Sequence, residues 1–146
     1  MLVSRRFFVD DASANSEMKS QHSGITQGCT LSPLLFLVAM SALMGDAVSS
    51  LGPEAKAAYE SGDLADVAYA DDTLLLDVSS AHFGEFLAAV ATAGHRYGME
   101  LHYDKFQLMN VGCNHHVCKP DGTHMAAAAQ MAYLGTSLAS DGTLDA

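Results

Sequence analysis

The sequence predicts an α+β fold in which a small antiparallel sheet with a Tyr-Ala-Asp-Asp hairpin packs against two helices. Apolar residues flank the acidic pair Asp71 and Asp72 on both sides, as they do when two strands meet at a turn. Residues 33–49 and 81–97 carry apolar side chains at helical spacing. The 146 residues, 49% of them hydrophobic, suffice for one globular domain.

The chain opens with a predicted edge hairpin. Residues 5–9 read as a short strand, residues 10–15 as a turn and residues 17–23 as the polar return strand. This hairpin leads into a glycine-containing segment and then into the first helix.

The first helix is predicted to begin at Ser32-Pro33. Serine can accept a hydrogen bond from an exposed amide, and proline is tolerated at the first helical position because its missing N–H is not needed there. Residues 33–49 are apolar nearly all round. This pattern predicts a core helix and not a surface helix.

The acidic hairpin follows a polar connection at residues 52–62, whose detail is not readable. Adjacent side chains on a straight strand point apart, whereas a tight turn lets both project to one side. We therefore expect Asp71 and Asp72 to lie together at the turn, where a divalent cation and water can reach them. An ordinary Asp-Asp turn is the alternative for these residues taken alone.

The C-terminal half begins with the second helix, which Ser79 and Ser80 are predicted to cap and Gly98 to end. The elements predicted after it are a strand pair at residues 99–103 and 106–111 with Asp104-Lys105 near the bend, a turn at residues 120–122, a weak strand at residues 131–138 and a turn at residues 140–142.

The chain is acidic. Its 7 Lys and Arg against 17 Asp and Glu give a net charge of −10. Phosphate contacts need cations, so this balance argues against a free-standing nucleic-acid binder. If nucleic acid is the substrate, the basic surface must lie elsewhere, and we expect residues 1–146 alone to bind it poorly.

The cysteines and the apolar runs indicate the cellular compartment of the protein and whether it associates with a membrane. Cys29, Cys113 and Cys118 form an odd set in a chain that shows no signal peptide, so we expect reduced thiols in an intracellular protein. No basic localisation run separates nucleus from cytoplasm. The longest apolar run, residues 34–43, is too short to span a bilayer, and we predict no membrane association.

A glycine-rich segment precedes the first helix. Gly24 and Gly28 flank Gln27, and this arrangement lets the backbone and a neutral amide approach a base pair or phosphate closely. The alternative is a glycine-rich helix entrance that binds no ligand.

Taken together, these segments resemble the reverse transcriptases of non-LTR, LINE-type retrotransposons. Four segments are similar to motifs of that family, in the family's order: residues 24–36 (motif B), residues 69–72 (motif C, the metal-binding hairpin of the polymerase palm), residues 98–109 (motif D) and residues 133–142 (motif E, the primer grip). The resemblance implies a partial polymerase palm that binds an RNA template, a DNA primer and a deoxynucleoside triphosphate.

The resemblance also implies roles for individual residues. Asp71 and Asp72 would bind Mg²⁺ or Mn²⁺, with Asp71 as the direct ligand. Gln27 and Gly28 would position the template and the incoming nucleotide, and Tyr69 would contribute to the same binding. Lys105 would be a proton donor to pyrophosphate, and a solvated turn lysine is the alternative.

The sequence departs from the family in two places. His102, Tyr103 and Phe106 replace the residues usual in motif D, which has Asn and then Thr after the lysine. Motif A, an apolar strand ending in Asp and followed by Ala-Phe-Asp, is not found. Asp10 is a poor substitute, because it lies only 17 residues before Gln27 and lacks that continuation.

Motif A matters because two-metal phosphoryl transfer needs carboxylates from separate strands to hold ions about 3.5–4 Å apart. We therefore expect residues 1–146 to be a partial reverse transcriptase domain from motif B to motif E, without motif A, most of the fingers or a thumb, and inactive alone. A degenerate, non-catalytic retroelement remnant or interaction module is the alternative.

A third hypothesis is a small metal-binding domain built on Cys113 and Cys118 with His115, His116 and His124. No second cysteine pair follows, and adjacent histidines on an extended strand point to opposite faces. These features favour a variable polar hairpin over a zinc site.

Overall fold

The computed structural model describes residues 5–7, 10–11, 14–21, 24–25, 28–119 and 122–145. The chain divides into two compact units, Met1–Val38 and Ala39–Ala146. The described residues form the helices α1 (Ser32–Ser49), α2 (Pro53–Ser61) and α3 (Phe83–Arg96) and several short strands that pair antiparallel. This is the predicted α+β class.

The first unit contains the predicted N-terminal hairpin. Strand β1 (Arg5–Phe7) pairs antiparallel with β4 (Lys19–Gln21). The predicted turn at residues 10–15 is itself a short strand pair, formed by β2 (Asp10–Asp11) and β3 (Ala14–Asn15). The outer ends of the two predicted strands, residues 8–9 and 22–23, lie outside the described residues.

Helix α1 begins and ends within one residue of the prediction. Its second half buries Leu43, Met44 and Ala47 in the core, but its first half does not reach the core. There the side chains of Leu34, Leu35, Leu37 and Val38 are 52–60% exposed. The prediction of a core helix is therefore wrong for this half. An apolar composition shows what a helix could bury, whereas the neighbouring elements decide what it does bury.

The length and apolarity of α1 also meet the minimum for crossing a membrane, with a mean hydropathy of 1.5 and 22% of the segment buried. It is the one such helix among the residues described. A core helix passes the same test, so this is weak evidence against the predicted lack of membrane association.

Helix α2 occupies most of the polar connection at residues 52–62, for which the sequence predicted no element. Pro53 occupies the start of the helix, and Gly62 ends it in a left-handed conformation with φ +86°. Proline at the start and glycine just past the end are helix signals. The polar side chains between them, which line the exposed face, hid the helix from a reading based on apolar spacing.

Helix α3 begins two residues later than predicted, and the predicted serine caps are wrong. The helix has no side-chain cap at its N-cap residue, His82. Instead, the carboxylate of Asp77 accepts hydrogen bonds from the backbone N–H groups of Ser79 (3.0 Å) and His82 (3.1 Å). An ionised carboxylate is a stronger acceptor than a hydroxyl, and here it satisfies two donors.

The end of α3 at Gly98 is confirmed. Gly98 has φ +70°, its N–H donates to the carbonyl of His95 (3.2 Å), and the N–H of Met99 donates to that of Gly94 (2.9 Å). This pair of bonds is a Schellman motif, which needs a residue that tolerates a left-handed conformation.

The C-terminal strands differ from the prediction. The predicted pair at residues 99–103 and 106–111 is wrong: Tyr103–Lys105 form a short 3-10 turn, and Leu108 makes a single parallel bridge to Ala127. The predicted single strand at residues 131–138 is a hairpin of β7 (Gln130–Tyr133) and β8 (Thr136–Ala139), followed after the predicted turn by β9 (Leu144–Asp145).

The core of the second unit lies between the helices and one further hairpin, β5 (Leu64–Tyr69) and β6 (Asp72–Asp77). Helix α2 contacts β5, and α3 contacts β6. The buried cluster comprises Leu43, Met44, Ala47, Leu51, Ala55, Leu64, Phe86, Val90 and Ala93. The base of this hairpin is therefore packed in the core, whereas the residues at its tip are not part of the core.

Candidate functional site at the acidic hairpin

The hairpin places the acidic pair at its tip. Tyr69 pairs with Asp72 across the two strands, so Ala70 and Asp71 form a two-residue turn. Ala70 has φ +53°, in the left-handed region. This conformation costs an L-residue roughly 1–2 kcal/mol, so the fold holds the tip in a strained turn without glycine.

The two faces of the hairpin have different environments. Leu64 is fully buried, and Leu75, paired with Asp66 on the same face, packs against the core. Tyr69 lies on the opposite face and is 63% exposed. Because paired residues in an antiparallel ladder share a face, Asp72 lies on this open face beside Tyr69.

The carboxylates of Asp71 and Asp72 are exposed, and neither makes a side-chain hydrogen bond or ion pair within the part of the chain that the structure describes. Carboxylate oxygens are the ligands that Mg²⁺ prefers in proteins. No group of three His, Cys, Asp or Glu side chains able to hold a metal occurs among the described residues. The tip thus offers two oxygen ligands, and a complete coordination shell needs water or other partners.

Tyr59 of α2 anchors the base of the hairpin. Its hydroxyl donates a 2.7 Å hydrogen bond to the carboxylate of Asp66 on β5. This bond, together with partial burial and the negative charge of Asp66, raises the pKa of Tyr59 to about 12. Its ring also packs edge-on against Phe86, with ring centroids 5.7 Å apart. The sequence reading missed Tyr59 because it missed α2.

A second hairpin is attached to the first. The hydroxyl of Tyr133 on β7 donates a 3.1 Å hydrogen bond to the backbone carbonyl of Val67 on β5. The next two residues, Leu134 (φ +51°) and Gly135 (φ +79°), form the turn of the second hairpin, and Leu134 is 49% exposed there. Two segments that stood out in the sequence, residues 69–72 and 133–135, therefore belong to hairpins in direct contact.

The other predicted site residues are not brought to the hairpin tip by any described contact. Gln27 lies outside the described residues, and Gly28 belongs to the first unit, where it is exposed with φ +84°. Lys105 is exposed at the end of the 3-10 turn. Its side chain makes no hydrogen bond or ion pair with Asp71 or Asp72 across the described ranges.

Comparison with protein families gives one match, to reverse transcriptase (RNA-dependent DNA polymerase), over residues 3–138. No curated protein and no solved structure matches the chain. The family match covers the acidic hairpin and the three helices of the described residues, and their α+β arrangement is that of part of a polymerase palm. The chain therefore belongs to the reverse transcriptase family of RNA-dependent DNA polymerases.

Proposed function

We propose that the chain is part of a LINE-type RNA-directed DNA polymerase that adds deoxynucleotides to a primer 3′ end by two-metal phosphoryl transfer. The observation that carries this proposal is the position of Asp71 and Asp72, which are exposed at the tip of a hairpin whose base is held in the core. A ligand pair on a rigid support suits a reaction that depends on positioning and charge neutralisation.

In this proposal Asp71 and Asp72 hold Mg²⁺ or Mn²⁺. In a two-metal site one ion would lower the pKa of the primer 3′-hydroxyl and the other would neutralise the leaving pyrophosphate. Tyr69, exposed on the same face as Asp72, offers an aromatic surface to a nucleotide.

The remaining roles are those that the family resemblance implies, and they are compatible with residue chemistry. Gln27 and Gly28 position the template and the incoming nucleotide, because a neutral amide beside a glycine allows close approach to a base pair. Lys105 gives a proton to pyrophosphate as negative charge develops on it.

We further propose that residues 1–146 alone do not extend a primer. The acidic hairpin supplies one carboxylate pair, and the sequence has no second apolar strand that ends in Asp and continues to Ala-Phe-Asp. With a net charge of −10, these residues also offer no basic channel to a polyanion. Weak Mg²⁺ binding and little primer–template binding are expected.

Primer extension with an RNA template tests the proposal. Three proteins are compared: the 146-residue chain, a longer chain that includes a motif A strand, and the longer chain with Asp71→Asn. We expect extension only by the unsubstituted longer chain, since Asp71→Asn removes a metal ligand and keeps the side-chain shape. Glu60→Gln is the matched control, because it removes the same charge from an exposed acidic residue of α2, outside the hairpin and the motif segments.

The possible results separate the hypotheses. Robust synthesis by the 146-residue chain refutes the need for a second acidic strand. Synthesis that survives Asp71→Asn refutes the catalytic assignment of the hairpin. A longer chain that is folded but inactive supports the alternative, a non-catalytic retroelement remnant or interaction module.

A further inference from the structure

The segment between the 3-10 turn and β7 brings a thiol and an imidazole together. Cys118 and His124 form an antiparallel bridge, and hydrogen bonds on either side of it hold the two backbones: Met125 N–H to the carbonyl of Val117 (2.9 Å) and Lys119 N–H to that of Thr123 (2.8 Å). Across the bridge the Sγ atom of Cys118 lies 3.5 Å from Nδ1 of His124.

The 3.5 Å separation is that of a thiol–imidazole hydrogen bond, and it also matches one edge of a tetrahedral metal site. Zinc lies about 2.3 Å from a cysteine sulfur and about 2.0–2.1 Å from a histidine nitrogen, so at the tetrahedral angle the two donor atoms are about 3.6 Å apart. The backbone pairing thus sets two soft or borderline donors at the spacing of one edge of such a site.

His116 supplies a third donor. It lies two residues before Cys118 in an extended segment, and residues two apart on an extended chain share a face. Its ring already contacts that of His124 edge-on, with centroids 5.8 Å apart. His116, Cys118 and His124 are all exposed, so an ion can reach them and the His116 ring can rotate.

His115 does not belong to this group. As the neighbour of His116 it faces the other way, and its carbonyl accepts a 3.0 Å hydrogen bond from the amide of Asn110. The sequence pattern alone could not decide which of the two adjacent histidines joins the cysteine, whereas the ring contact between His116 and His124 does.

We propose that Cys118, His124 and His116 form a surface site for a thiophilic transition-metal ion such as Zn²⁺, with water as the fourth ligand. No group of three His, Cys, Asp or Glu side chains among the described residues is already placed to hold a metal, so the site requires a change in side-chain position. Rotation of the His116 side chain completes the site. Sulfur and nitrogen donors select against Mg²⁺, so this site is independent of the function proposed for the acidic hairpin.

Titration of the whole chain with Co²⁺ under reducing conditions tests the site. We expect the visible absorption of tetrahedral Co²⁺, a near-ultraviolet band from thiolate-to-cobalt charge transfer, and displacement of Co²⁺ by Zn²⁺ but not by excess Mg²⁺. Cys118→Ser should abolish the charge-transfer band, and His124→Ala and His116→Ala should each weaken binding at least about tenfold, the effect usual for perturbing a metal site.

Matched controls exist within the chain. Cys113→Ser removes another exposed cysteine, and His115→Ala removes the histidine that faces away, so neither should change the affinity. Asp71→Asn should also leave it unchanged, which separates this site from the hairpin. Circular dichroism checks that each variant is folded. Absence of the charge-transfer band in the unsubstituted chain, or its persistence in folded Cys118→Ser, refutes the site, and unchanged affinity in His116→Ala refutes the third ligand.

Discussion

Tyr59 is a residue whose ionisation is tied to the fold. Its hydrogen bond to Asp66 raises its pKa from 10.0 to about 12. A raised pKa in the folded state favours the neutral phenol, so the stabilisation is complete below pH 10 and is lost as the pH rises towards 12.

We therefore expect the free energy of unfolding, measured by urea denaturation, to fall between pH 10 and pH 12. Tyr59→Phe should cost roughly 1 kcal/mol at pH 7 by removing the hydrogen bond, and it should reduce the fall above pH 10. Tyr97, whose pKa is also raised, by burial and by a hydrogen bond to Asp46, contributes to the fall, so Tyr97→Phe is the comparison. An alkaline profile that Tyr59→Phe leaves unchanged contradicts this assignment.

Two glycines should respond oppositely to alanine. Gly98→Ala places a Cβ in a left-handed conformation (φ +70°) and should lower the free energy of unfolding by about 1 kcal/mol. Gly45 lies inside α1, where an added Cβ meets no atom within 4 Å, so Gly45→Ala should raise it by roughly 0.5–1 kcal/mol. Urea denaturation of the two variants measures both, and effects of the same sign contradict the assigned helix boundaries.

Gly98 and Asp77 show which features of single residues the sequence could predict and which it could not. A glycine directly after an apolar helical run is a local signal, and the end of α3 was predicted from it. The hydrogen-bond acceptor at the start of α3 was not predicted. Asp77 lies five residues before His82, and its carboxylate reaches the backbone amide of His82 only because the chain bends between the two residues. Such a contact depends on the path of the chain and not on the residue adjacent to the helix.

At the scale of elements, the contributions of Asp77 and Ser80 to the start of α3 can be compared directly by substitution. Asp77→Ala removes the acceptor for two backbone amides and should lower the free energy of unfolding by about 1 kcal/mol. Ser80→Ala removes the hydroxyl of a residue predicted to cap the helix and should change it by less than about 0.5 kcal/mol. Thermal or urea denaturation distinguishes them, and a larger loss in Ser80→Ala restores the original prediction.

Elements with strong local patterns were predicted and the others were not. The span of α1 follows from its apolar composition and the Ser-Pro start, and the span of the acidic hairpin follows from apolar strands around a turn. The strand pair predicted at residues 99–111 does not form, since alternation over a few residues is weak unless a neighbouring strand supplies hydrogen bonds. Its residues are held instead by a 3-10 turn and a single bridge.

For the whole molecule, the excess of negative charge lies in the second of the two units. The residues of the second unit, Ala39–Ala146, carry 14 acidic and 4 basic side chains, whereas the first unit carries 3 of each. The proposed metal ligands thus belong to the part of the chain that bears the entire net charge of −10. A polyanion can approach such a surface only where cations neutralise it, so under the proposed function divalent ions would aid template binding as well as chemistry.

The exposure of apolar side chains along α1 affects how the whole molecule associates with other copies. Leu34, Leu35, Leu37 and Val38 are each more than half exposed, whereas Leu43 is 3% exposed and belongs to the core cluster. Contiguous exposed apolar residues promote self-association. The sequence predicted the helix but not this division, because burial depends on which elements reach it.

Substitution on the two halves of α1 should therefore have opposite consequences. Leu43→Ala removes a buried side chain and should lower the free energy of unfolding by about 3 kcal/mol, with little effect on association. Leu37→Gln acts at a residue that is 52% exposed, so it should change the free energy of unfolding by less than about 0.5 kcal/mol and reduce self-association. Urea denaturation and light scattering at increasing protein concentration measure the two effects. If Leu37→Gln destabilises the fold as strongly as Leu43→Ala, the first half of α1 is part of the core and its exposure cannot account for association.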